Sequence, residues 1–167
     1  MGFTAHSQPT PEEIFVKMFL KSVLAAAFCV LAALGAGCDY SPAGLPMVSM
    51  QIGKQVFHLE VAATSETMEK GLMQRDSMPS DHGMIFVFPD EQERQFWMKN
   101  TRIPLDILFL SSRGKVVSIH QMIPYDRDLT PSDGAAQYAI ELNNGAAAAA
   151  GVKPGDILQI PAAATAK

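Results

Sequence analysis

The sequence predicts an α+β domain: a mainly antiparallel β-sheet of about eight strands, able to close into a barrel, with two short helices. Three observations carry that expectation. Short apolar or alternating runs recur through residues 48–160, most of them joined by connections of hairpin length. Two of these runs, 84–88 and 107–110, are continuously apolar, as strands buried on both faces are. Helix signals occur at only two places, near Thr64 and in the alanine run at 146–150.

Residues 48–52 alternate apolar and polar, Gly53-Lys54 is a turn, and 55–61 resumes the alternation, so the pair reads as a hairpin. Thr64 and Ser65 are helix-capping residues, and Glu66 stands where the positive end of a helix favours an acid. Met68 and Leu72 fall on one helical face, and Gly71 interrupts the helix where close packing on a sheet is expected. Residues 74–83 read as a loop, 84–88 as a buried strand, 89–93 as a charged turn opened by Pro89, and 94–100 as the next strand. Pro104 makes the following connection irregular. Residues 107–110 and 115–120 form a second hairpin, and 121–135 is the longest irregular segment. Residues 137–142 alternate as a strand. Asn143 or Asn144 is then expected to cap the alanine helix, which Gly151 stops. Residues 157–160 supply the last strand.

The chain divides into an N-terminal extension and signal peptide (1–37), a tether (38–47), one domain (48–160) and a tail (161–167). Residues 22–37 are apolar and end in small residues, too short to cross a hydrocarbon core of about 30 Å and suited to a secretory signal. A start at Met18 leaves a short positive leader, Met-Phe-Leu-Lys, whereas a start at Met1 adds Glu12 and Glu13. Leu34-Gly35-Ala36-Gly37-Cys38 resembles a bacterial lipobox, with its Leu one place further from the Cys than usual. Cleavage there removes Cys29 and leaves Cys38 as the lone thiol, at the mature N-terminus. Cys38 is therefore the expected lipidation site. The chain is expected in the bacterial cell envelope, with the membrane as its partner through a lipid anchor.

Charge excludes one class of partner. The net charge is −4 with no Lys/Arg cluster, which gives no electrostatic footprint for nucleic acid. No metal or cofactor is expected. The two cysteines lack zinc-ligand spacing, and the four histidines (His6, His58, His82 and His120) are scattered singly. The sequence contains no Gly-x-Ser-x-Gly elbow, Walker loop or His-Glu-x-x-His motif.

Four stretches carry a family resemblance: Gly71-Leu72-Met73-x-Arg75; Gly83-Met84-Ile85-Phe86-Val87-Phe88; Phe96-Trp97-Met98-Lys99-Asn100-Thr101-x-Ile103-Pro104-Leu105-Asp106-Ile107-x-Phe109; and Tyr138-x-Ile140-Glu141 through Gly155-Asp156. In order and spacing they resemble Domain of Unknown Function family 192 over residues 48–160. That resemblance implies a small β-rich domain, often exported, and no established activity.

The candidate ligand-binding residues are Arg75, Trp97, Lys99, Asn100, Asp106 and Glu141. Trp97 beside polar groups suits a sugar ring or another small polar ligand, and Arg75 and Lys99 add positive charge for an anionic one. Against this stands a structural reading, in which Trp97 fills the core and Lys99, Asp106 and Glu141 form an ion-pair network. An accessory domain that binds an envelope protein is a further possibility. A hydrolase using Asp106 and Glu141 as an acid/base pair is the catalytic alternative.

Overall fold

The computed structural model describes residues 41–165. The elements in chain order are β1 (Met47–Ile52), β2 (Gln55–Ala62), α1 (Ser65–Lys70), β3 (His82–Phe96), β4 (Leu105–Leu110), β5 (Val116–Met122), β6 (Thr130–Asn143) and α2 (Ala146–Ala150), with a 3₁₀ turn at Ala162–Ala164. The strands form one sheet in the order β1-β2-β3-β6-β4-β5. β2 and β3 pair in parallel, which requires the crossover that α1 supplies, and all other neighbours are antiparallel.

Six strands therefore replace the eight expected, and the sheet is open, with β1 and β5 as its edges, not closed into a barrel. Three local events account for the difference. The strands expected at 84–88 and 94–100 are one strand, β3, running through Pro89. Pro89 sits in a register shift between Val87 and Gln92, where its missing N–H breaks no ladder hydrogen bond. β3 ends at Phe96, so residues 97–100 are irregular chain leading into a turn at Lys99-Asn100 instead of strand. The long loop at 121–135 is shortened because β6 begins at Thr130, and residues 157–160 contribute a single bridge, Lys115 to Ile157.

Both helices lie where expected. Thr64 caps α1 with Thr67 in a reciprocal capping box, and Gly71 ends it at φ +45° over the Phe86 ring. α2 is capped differently from the expectation. Its N-cap is Gly145, and the Asp106 carboxylate on β4 accepts from the Ala147 N–H at 2.9 Å.

Each sheet face carries its own core. One face gathers Phe57, Leu59, Ile85, Leu108 and Ile140 under α2. The other gathers Met84, Phe86, Ile107 and Phe109 under Leu72, Met98 and Ile103, which come from the segments after α1 and β3. The signal segment, Cys38 and the start at Met18 lie outside the described residues. Among the described residues no helix is long and apolar enough to cross a membrane.

Candidate functional site

Strand register explains how the second face becomes a site. Glu60 pairs with Met84, Met84 with Glu141, and Glu141 with Ile107, so these four side chains stand in one row across the sheet. Two carboxylates thus share an apolar face, with Met84 between them.

Arg75 divides them unequally. It leaves the segment after α1 and forms a two-pronged ion pair with Glu60, Nη1 to Oε1 at 2.5 Å and Nη2 to Oε2 at 2.8 Å. Ser41 adds a hydroxyl donor to Glu60 Oε2 at 3.1 Å. The Glu60 hydrogen bonds hold Arg75 above its ordinary range. Glu141 receives only the more distant field of Arg75 and has no hydrogen-bond partner among the described residues. Desolvation dominates and pushes its carboxyl up to about 8, so it is a neutral acid at pH 7.

Glu141 is 5% exposed and forms part of the wall of an open cavity of about 260 Å³. The other walls include Met68, Leu72, Phe86, Phe88, Phe96 and Trp97, with Glu69, Lys70, Gln95 and Thr101 as polar lining. Phe96 is the hub of the aromatic wall, edge-on to Phe86 at 4.9 Å and to Phe109 at 5.5 Å. Trp97 is 43% exposed and stands just beyond the end of β3, so it does not fill the core. Lys99 Nζ lies 4.9 Å from the Trp97 ring centroid. Lys99 and Asn100 line an adjoining cleft of about 360 Å³, which shares Glu69, Lys70 and Met73 with the cavity. Asn100 adopts φ +56°, which Asn tolerates, and its carbonyl accepts from the Gln74 N–H at 2.8 Å.

Trp97 and Glu141 line the cavity and Lys99 and Asn100 the adjoining cleft, while Arg75 lines neither and is paired with Glu60, its field reaching Glu141. Asp106 does not join them. It pairs with Leu142, one residue out of step with Glu141, and so faces the opposite side of the sheet. There it is 2% exposed and anchors α2. The expected rim shared by Lys99 and Asp106, the ion-pair network of Lys99, Asp106 and Glu141, and the Asp106/Glu141 acid/base pair all fail on this alternation. Glu60 and the three phenylalanines were missed from the sequence. The available signal for Glu60 was a lone acid inside the apolar end of β2, Leu59-Glu60-Val61-Ala62.

The histidines are also not all isolated. His58 and His82 are register partners on β2 and β3, with ring centroids 5.5 Å apart. Among the described residues no three His, Cys, Asp or Glu side chains converge as a ready metal cluster.

Two solved structures resemble this chain. A Novosphingobium aromaticivorans DSM 12444 protein of unknown function is 39% identical, with a TM-score of 0.69, and the match covers 77% of this chain and 96% of that one. A Sinorhizobium meliloti 1021 protein described as a candidate transcription regulator is 36% identical, with a TM-score of 0.63, and the match covers 68% of this chain and 91% of that one. No curated protein matches. The family model DUF192, "Uncharacterized ACR", matches residues 48–160, the span that holds both sheet faces and the cavity, and the chain belongs to that family.

Proposed function

We propose that this is an exported, lipid-anchored envelope protein whose domain binds a small polar ligand in the Glu141 cavity, with a saccharide ring as the best-fitting class. One observation carries the reading. A carboxyl that burial pushes up to about 8 sits at the wall of an open cavity that Phe86, Phe88, Phe96 and Trp97 also line, with no side-chain hydrogen-bond partner among the described residues. A hydroxyl group of a ligand can both accept from and donate to that carboxyl. Trp97 supplies an apolar face beside it, the arrangement that receives a ring with polar edges.

The placement of the family motifs supports the same cavity. Gly71-Leu72-Met73, Phe86, Phe88, Phe96-Trp97, Thr101 and Glu141 come from four separate stretches and all line it. A volume of about 260 Å³ suits a single ring. Hydrolysis by two carboxylates is not favoured, because Asp106 lies across the sheet and Glu60 is saturated by Arg75 and Ser41. The regulator description of the Sinorhizobium protein is not carried over, since a net charge of −4 gives no footprint for nucleic acid.

A thermal-shift screen with neutral saccharides tests the binding reading, because a ligand selective for the native state raises its stability. A shift is expected for the native chain and is lost in Trp97→Ala and in Glu141→Ala. A shift unchanged in both variants, or no saccharide shift at all, rejects it. The anchor is tested by mass spectrometry of Cys38. Cys38→Ser should release the protein from the membrane fraction or leave the unprocessed precursor, and an unacylated native Cys38 rejects lipidation.

A further inference from the structure

We propose that His58 and His82 form a two-imidazole binding site for a divalent transition-metal ion. The site lies one row along the sheet from Glu60, in a cleft separate from the Glu141 cavity. Ser49 pairs with His58 across β1 and β2, and His58 pairs with His82 across β2 and β3. The three side chains therefore stand side by side on one face.

The ring separation matches shared ligation. A metal–imidazole bond of about 2.0–2.1 Å, plus about 1.1 Å from nitrogen to ring centre, places each centroid about 3.2 Å from the ion. At a tetrahedral to trigonal ligand angle, two such centroids lie about 5.2–5.5 Å apart. The observed separation is 5.5 Å, with the rings tilted by 52°.

The hydrogen bonds orient both rings for that role. His82 Nδ1 is 2.8 Å from Asp81 Oδ1, and a carboxylate only accepts, so Nδ1 carries the proton and the Nε2 lone pair is free. His58 Nδ1 is 3.1 Å from Ser49 Oγ, a hydroxyl that either donates or accepts, and in the tautomer protonated at Nδ1 the His58 Nε2 lone pair is free as well. A ligating histidine typically has this arrangement, with its second nitrogen held by an outer carboxylate or hydroxyl.

The cleft has a volume of about 430 Å³ and is also lined by Ser41, Pro42, Met47 and Glu60. Glu60 is engaged by Arg75 and Ser41, so water completes the shell. The resulting site is open and exchangeable. Imidazole donors suit Cu(II), Ni(II) and Zn(II), and Cu(II) should bind tightest.

The test is titration of the unprocessed full chain, its Cys29 and Cys38 thiols alkylated, with Cu(II) and with Zn(II), with electron paramagnetic resonance on the copper sample. One equivalent of Cu(II) should bind, with nitrogen coupling from two imidazoles, and more tightly than Zn(II). His58→Ala and His82→Ala should each abolish this step, while His120→Ala leaves it unchanged. Asp81→Asn keeps both rings and should weaken binding about 10–100-fold. The proposal is overturned if native protein shows no such step, if the step survives in either single histidine variant, or if Asp81→Asn leaves the affinity unchanged.

Discussion

Glu60 and Glu141 occupy the same row of the sheet on either side of Met84, yet only Glu60 is neutralised, by both prongs of Arg75. The two acids therefore do different things. Glu60 is a charged brace for the segment that follows α1. Glu141 is a protonated group facing a cavity. Their difference gives the first two predictions.

Glu141 should make stability depend on pH. Its folded pKa of about 8 lies above the ordinary value of 4.5, so the folded state holds the proton more tightly than the unfolded state. That contribution is complete below about pH 4.5 and is lost as pH rises to about 8. Glu141→Gln removes the slope. Urea denaturation at both ends should find the two proteins similar at low pH. At pH 8 the variant should be more stable, by an amount on the order of a few kcal/mol. A native profile parallel to that of the variant would refute the assignment.

Arg75→Met should destabilise the domain by roughly 3 kcal/mol, because it leaves the buried Glu60 carboxylate without its cation. It should also raise the Glu141 pKa further, since the Arg75 field is what pulls it down. Denaturation measures the first effect and carboxyl NMR titration the second. A double-mutant cycle with Glu60→Gln should show strong coupling.

Asp106→Ala should cost about 1–2 kcal/mol through the lost cap on α2 and leave binding in the Glu141 cavity untouched. Any ligand found in the saccharide screen makes this a sharp comparison. Equal loss of binding in Asp106→Ala and Trp97→Ala would contradict the separation of the two faces.

Lys99→Met should change stability by no more than about 1 kcal/mol, the scale of an exposed cation–π contact. A larger loss on chemical denaturation would make Lys99 a structural residue and not a candidate ligand contact.

The hairpin of β1 and β2, the paired β4 and β5, and both helices were legible because their signals are local: alternation, capping residues and Gly-containing turns. β3 was not, because Pro89 looks like a strand end when read alone. Only the register against β6 shows that the strand bulges past it. The start of β6 was hidden in the same way by Pro131, Asp133 and Gly134, which read as loop residues yet lie in a strand. Four of the six candidate site residues line the cavity or the cleft beside it, three of them because they sit together just after β3. Asp106 was misplaced because pairing and alternation decide which face it takes, and its sequence neighbours do not. The His58–His82 contact needed a parallel pairing across the α1 crossover, which no local pattern announces.

The hydrogen bond from Ser41 to Glu60 ties the first described residue to the carboxylate that Arg75 braces. The root of the N-terminal segment is thus welded to the domain. Between that weld and Cys38 lie three peptide links, a reach of about 11 Å at full extension. A surface that holds Cys38 therefore keeps the domain in the layer next to itself, within about one small-domain diameter, or 30 Å. Under the proposed anchor at Cys38, a ligand of the Glu141 cavity would reach it through that layer.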